Sequence, residues 1–144
     1  MKETTGNIWD FHKDSTYIVI PTNGTLKRTR ELVMGRGLAL QAKLRYPDLP
    51  LFLGKLVSDF GNHVFRLDQY KLISFPVKEH WREIASLYLI EESAKQLAGC
   101  VGFASGIRSK IYLPRVGCGN GRLEWEIVKS ILEKWLTDDR FIVV

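Results

Sequence analysis

The run "FPVKEHWRE", residues 75–83, puts an amine, an imidazole and a guanidinium within five positions, at Lys78, His80 and Arg82. It directly follows an apolar segment, "YKLIS". A lysine can attack a carbonyl carbon as an amine, or stand as a cation beside a phosphate. A histidine can carry a proton near neutral pH. Lys78 and His80 are therefore the candidate catalytic pair. A solvated basic loop with Trp81 tucked into the core would produce the same run.

Two glycine-bearing segments offer complementary chemistry. In "PTNGTLKRTRELVMGRGLALQ" the cations Lys27, Arg28 and Arg30 precede Gly35-Arg36-Gly37 at a helix-like start. Glycine before a helix N-terminus leaves N–H groups and the positive dipole end open to an anion. A flexible helix entry is the plainer reading of the same residues. In "LPRVGCGNGRLEW", residues 113–125, Gly117, Gly119 and Gly121 fall within five residues. Glycine costs backbone entropy, so three together imply positive φ or a close approach of something to the backbone. Neither segment is a P-loop, because no Gly-Lys-Ser/Thr follows, and the Gly-x-Gly-x-x-Gly fingerprint is incomplete. The two loops form a phosphate site of another type, or a set of tight turns.

These loops need elements to hold them. Apolar runs at 7–11, 16–22, 63–67, 70–76, 110–114 and 140–144 read as strands. The run at 16–22, "TYIVIPT", is nearly continuous and β-branched, as a strand covered on both faces should be. Helical spacing appears at 37–46, 50–60, 82–99 and 123–136. The third carries Ile84, Leu87, Ile90, Ala94 and Leu97 on one face; the fourth carries Ile127, Val128, Ile131, Leu132 and Trp135. Six strands interleaved with four helices predict an α/β protein: a three-layer α/β/α sandwich on a mixed six-stranded sheet. Ligands in such sheets sit beyond the carboxyl ends of the strands, where all three chemical loops begin.

The bulk properties agree with one domain over 1–144. Hydrophobic residues make up 45% and charged residues 26%, which excludes a disordered chain. No apolar run approaches a membrane span, and "MKETTGNIWDF" has no secretory h-region, so a cytoplasmic protein without a membrane partner is expected. Cys100 and Cys118 read as free thiols. His12, His63 and His80 lie in different elements without ligand pairing, so no metal site is expected. The net charge of +5 favours an anionic partner.

The three junctions, in this order, resemble a macro domain, the ADP-ribose-binding fold. "TGNIWDF" resembles the family's opening segment, with Asn7 in place of the aspartate that holds the adenine amino group, followed by Ile8. "IPTNG" is similar to the strand end whose asparagine, here Asn23, meets the distal ribose. "VMGRGLALQ" resembles the first phosphate loop, implying contacts from Met34, Gly35, Arg36, Gly37 and Leu38. "LPRVGCGNGRLEW" resembles the second, implying Pro114, Val116, Gly117, Cys118, Gly119, Asn120 and Gly121. Cys118 there reads as a small filler and not as a nucleophile.

The similarity is strongest to the branch that removes ADP-ribose from macromolecules, including the protein glycohydrolase and the antitoxin acting on DNA. A lysine after this strand is catalytic in both, and Lys78 matches it. The protein-directed enzyme also uses an aspartate where Gly121 stands, so the resemblance favours the DNA-directed branch. It implies hydrolysis of the glycosidic bond to a DNA base or an acidic side chain, with no cofactor. The implied partner is ADP-ribose or an ADP-ribosylated macromolecule, DNA among the candidates, bound by a monomer. Asn7 can still accept from the adenine amino group but carries no charge. Three alternatives stay open: a reader that binds ADP-ribose without cleaving it, a phosphatase of phosphorylated ADP-ribose, and a nucleic-acid-binding domain acting through Lys27, Arg28, Arg30, Arg36 and Arg82.

Overall fold

The computed structural model describes residues 1–102 and 105–144. Its strands are β1 (Lys2–Glu3), β2 (Tyr17–Thr22), β3 (Phe65–Leu67), β4 (Leu72–Pro76), β5 (Ile111–Leu113) and β6 (Phe141–Val143). Its helices are α1 (Gly37–Arg45), α2 (Leu49–Phe60), α3 (Leu87–Ala98) and α4 (Trp125–Trp135). The strands form one sheet in the order β1-β6-β5-β2-β4-β3. All pairs are parallel except β3 with β4, so the sheet is mixed.

Strand β2 shows why the sequence folds this way. Successive side chains of a strand point to opposite faces. Tyr17 and Val19 join a core with Ile90, Ala94, Leu97, Val128 and Leu132 from α3 and α4. Ile18 and Ile20 join a second core with Ala42, Leu49 and Leu53 from α1 and α2. Both faces of the strand are dry, which is why its sequence is apolar throughout. The two cores make the three-layer sandwich.

Four expectations need correction. Residues 7–11 do not form a strand: Ile8–Phe11 is a 3₁₀ turn whose N-cap, Asn7, accepts a bond through Oδ1 from the Trp9 amide. An asparagine cap outweighed the apolar composition of a run too short to show a period. The first strand is instead Lys2–Glu3, exposed and charged, paired with β6 at the sheet edge. Helix α3 starts at Leu87 and not at 82, because Ser86 caps it by accepting from the Leu89 amide. Ile84 consequently lies outside the helix and 60% exposed. Ile127 in α4 is also exposed, beside a face that buries Val128 and Leu132.

Candidate active site

The carboxyl ends of β5, β2 and β4, three neighbouring parallel strands, open onto one cleft of about 400 Å³. Its wall includes the strand-end residues Pro21, Thr22, Val77 and Pro114. Two loops close over it.

The first loop runs from β2 to α1. Asn23 braces it by donating through Nδ2 to the Val33 carbonyl (3.0 Å) and accepting at Oδ1 from the Thr25 amide (2.9 Å). The outgoing and returning limbs therefore lie side by side, with Met34 sunk into the core as an anchor. The second loop, from β5 to α4, is a chain of tight turns. The Leu123 amide donates to the Gly117 carbonyl (2.9 Å) and the Arg122 amide to that of Gly119 (3.1 Å). The two loops meet where Gly37, at φ +57, approaches Asn120: an added β-carbon would stand 3.2 Å from Asn120 Nδ2.

The backbone N–H groups of Gly35, Arg36, Gly119 and Asn120 donate to no protein acceptor among the described residues. Those of Gly37 and Leu38 open helix α1, where the first-turn donors have no intrahelical partner. Such a set of donors, with a helix N-terminus, suits an anion held by the backbone. A β-carbon on Gly35 or Gly119 would meet nothing within 4 Å, so both leave open space.

Lys78 follows β4 at the far side of the cleft and is half-buried. Its Nζ donates to the Glu83 carbonyl at 3.2 Å. Burial pushes its pKa below the usual lysine value, and the charge of Arg36 pushes further, against an opposing pull from Glu83. The neighbouring cation that acts on Lys78 is thus Arg36, brought across from the first loop. Arg82 lies 4.9 Å from the Trp81 ring centroid. Beneath the lysine, Asn62 Nδ2 donates to the Lys78 carbonyl and to Glu79 Oε2, both at 3.2 Å. Its own Oδ1 is buried without a partner among the described residues.

The structure thus brings together Lys78, Asn23, Met34, Gly35, Arg36, Gly37, Leu38, Pro114, Gly117, Gly119, Asn120 and Gly121. Five candidates do not line the cleft. Asn7 caps its own turn, and Ile8 packs into the α1/α2 core. Val116 is fully buried in the α3/α4 core. Cys118 packs against that core, and burial pushes its thiol pKa up, which fits a filler. His80 points outward: Nδ1 accepts from the Arg82 amide and its own amide donates to Glu83 Oε1, so it braces the loop. Residues missed by sequence reasoning are Pro21, Thr22, Val33, Ala39, Val77, Trp81, Arg115 and the buttress Asn62. Thr22 was findable as the last residue of β2 and Val77 as the residue that follows β4, since both strands end at the site. Asn62 was not, because it reaches Lys78 only through the fold. Among the described residues no cluster of His, Cys, Asp and Glu could hold a metal ion, and no helix is long and apolar enough to cross a membrane.

No model of a known protein family matches the sequence. The chain is 36% identical over 117 residues to the DNA ADP-ribosyl glycohydrolase of Mycobacterium tuberculosis, a match covering 69% of this chain and 30% of that protein. The structure matches the macrodomain of Thermus aquaticus DarG with a TM-score of 0.76 and 28% identity, over 99% of this chain and 94% of the other. The chain belongs to the macrodomain family. Thermosipho africanus DarTG, solved in complex with ADP-ribose, shares the macrodomain fold at a TM-score of 0.72 and 23% identity, over 90% of this chain and 37% of that one. This macrodomain spans about a third of the length of the DNA ADP-ribosyl glycohydrolases it matches.

Proposed function

We propose that this macrodomain holds ADP-ribose in the cleft and hydrolyses the bond joining its distal ribose to a DNA base, with Lys78 at the anomeric carbon. The observation that carries the reading is the joint geometry of Lys78 and the two loops. Unpaired N–H groups on Gly35, Arg36, Gly119 and Asn120 form an anion cradle, and a lysine of lowered pKa lines the same cleft. The diphosphate would occupy the cradle. The braced Asn23 would fix the ribose hydroxyls with the hydrogen-bonding capacity its two internal bonds leave over. The similarity to a DNA ADP-ribosyl glycohydrolase supports the reaction class.

Hydrolysis breaks the bond from C1 to the base, delivers hydroxyl to C1 and a proton to the leaving base. The lowered pKa enlarges the free-amine fraction of Lys78. The amine would add to C1 of the opened sugar as the C1–base bond breaks and the base takes the proton, and water then cleaves the C1–Nζ linkage and returns the amine. The backbone at Gly121 leaves no room for the aspartate of the protein-directed branch. A β-carbon there would lie 2.5 Å from the Gly117 carbonyl and 2.8 Å from Ala85 Cβ. Without that aspartate, the step is assigned to Lys78.

The test is to incubate the protein and its Lys78→Ala variant with ADP-ribosylated DNA and, separately, ADP-ribosylated protein, and to measure released ADP-ribose. Release from DNA, lost in the variant, is expected. Release from protein alone would move the substrate to the protein-directed class. Binding of ADP-ribose with no release from either would make the cleft a reader.

A further inference from the structure

Lys27, Arg28 and Arg30 project from the loop after β2, and Arg82 from the loop after β4. All four are exposed. The ion pairs among the described residues involve Arg66, Lys95, Lys129, Lys134 and Arg140, and none of these four. The carboxylates that share the two loops are tied elsewhere. Glu31 accepts from Thr29 Oγ1, Glu79 from Asn62 Nδ2, and Glu83 from the His80 amide. None of the four cations is ion-paired among the described residues, and the two loops together carry six cations against three carboxylates.

They are also held in place. The Gly24 amide donates to the Glu79 carbonyl (2.9 Å) and the Trp81 amide to Thr25 Oγ1 (3.0 Å), which staples the two loops together. The first loop rests on α2 so closely that a β-carbon on Gly54 would collide with the Arg30 carbonyl oxygen. Trp81 lines the cleft, yet is 37% exposed, with the Arg82 guanidinium against its ring. A cluster of unpaired cations on a braced loop, beside an aromatic–guanidinium pair, matches the two surfaces of a single strand: phosphates, and bases with open faces.

We infer that this lip is a track for the single-stranded DNA that flanks the modified base, with backbone phosphates on Lys27, Arg28 and Arg30 and a neighbouring base on the Trp81–Arg82 pair. The inference rests on the proposed reading of the cleft, since the carrier of the ADP-ribose must leave past Lys78, where Trp81 borders the opening. Duplex DNA keeps its bases stacked and offers the pair nothing to hold. An acidic peptide could meet the cations but has no obligatory plane for Trp81.

Lys27 and Arg28 lie outside the cleft wall, so the Lys27→Ala/Arg28→Ala double variant tests the track without touching the catalytic machinery. Two measurements separate the track from the activity. The first is anisotropy of an unmodified, fluorescent single-stranded oligonucleotide over a salt series. The slope of log affinity against log salt should fall by about 1.4 in the double variant, at roughly 0.7 for each phosphate no longer neutralised. The second compares kcat/KM for an ADP-ribosyl nucleoside with that for the same modified base inside an oligonucleotide. The oligonucleotide should be favoured about tenfold or more at low salt. The double variant should lose that advantage and process the nucleoside as before. Equal turnover of nucleoside and oligonucleotide, an unchanged salt slope, or equal competition by an acidic peptide overturns the track while leaving the hydrolase reading intact. If neither substrate is cleaved, the hydrolase reading fails on its own. The anisotropy series then decides the track: salt-sensitive binding weakened in the double variant supports it, and no such binding overturns it.

Discussion

Gly119 and Gly121 lie two residues apart in one loop, and their environments differ completely. A β-carbon on Gly119 would meet nothing within 4 Å, whereas one on Gly121 would collide with the Gly117 carbonyl and with Ala85. Gly117 belongs with Gly121: its φ is +76, and a β-carbon would strike Ile90 Cδ1 at 2.7 Å. Gly35, across the cleft, belongs with Gly119. One pair of glycines is consumed by the fold, which packs its loop against α3. The other pair is spare space beside unpaired N–H groups. Only the second pair faces the question of what fills the cleft. Lys78, half-buried and without an ion-pair partner among the described residues, stands on the same side of that division.

The division predicts that function and stability separate by residue. The largest effect belongs to Lys78→Ala, which should lower turnover of ADP-ribosylated DNA by about 10²–10⁴ while ADP-ribose affinity by calorimetry stays within a few-fold. Its pH dependence sharpens the point. With the free amine as the working form, kcat rises with pH through the lysine's lowered pKa and levels off below its ordinary 10.5. A rate that falls over that range would assign the work to the ammonium form.

Gly121→Ala should instead act through the fold. Overpacking a filled site costs about 1–3 kcal/mol, or roughly 3–10 °C in Tm for a chain of this size. Thermal unfolding followed by circular dichroism reads it directly. Gly119→Ala is the contrasting case. Its backbone carries no positive φ, so Tm should hold steady or rise slightly, by about 0.4–1 kcal/mol of stability. ADP-ribose affinity should fall, because the methyl group takes ligand space. Equal loss of Tm in the two variants would abolish the distinction.

The smallest effect lies at the opposite end of the sheet. Arg140, just before β6, donates to the Ile107 carbonyl and to Asp138, and holds the Asp138 carboxyl down to about 2. A depressed carboxyl contributes stability above its unfolded value, here taken as 3.8, and that contribution is lost as pH falls through about 2. Asp138→Asn should therefore flatten the decline of Tm between those two pH values and leave the cleft's affinity at neutral pH unchanged. The pair is partly exposed, so the effect is small.

Much of this was legible locally. The unbroken apolar run of β2, the three loops that leave strands and Lys78 after β4 depend on residue types within a few positions of each other. Chain-local rules of pattern and punctuation suffice for them. Where two local signals competed, the sequence misled. At 7–11 apolar composition pointed to a strand and Asn7 capped a turn. At 82–86 the apolar spacing ran on past the cap at Ser86.

The sequence by itself determined that helices would cover both faces of a mixed sheet, and that glycine-rich loops and a lysine would gather at the carboxyl ends of its strands. Only the tertiary structure decided which glycines are free. It also decided that Arg36 lowers the pKa of Lys78, that Asn62 supports the lysine from the segment before β3, and that Lys2–Glu3 closes the sheet edge. The physical reason is common to all four. Each is a contact between segments apart in the chain, where excluded volume and Coulomb energy act through space, and no pattern along the sequence records those distances.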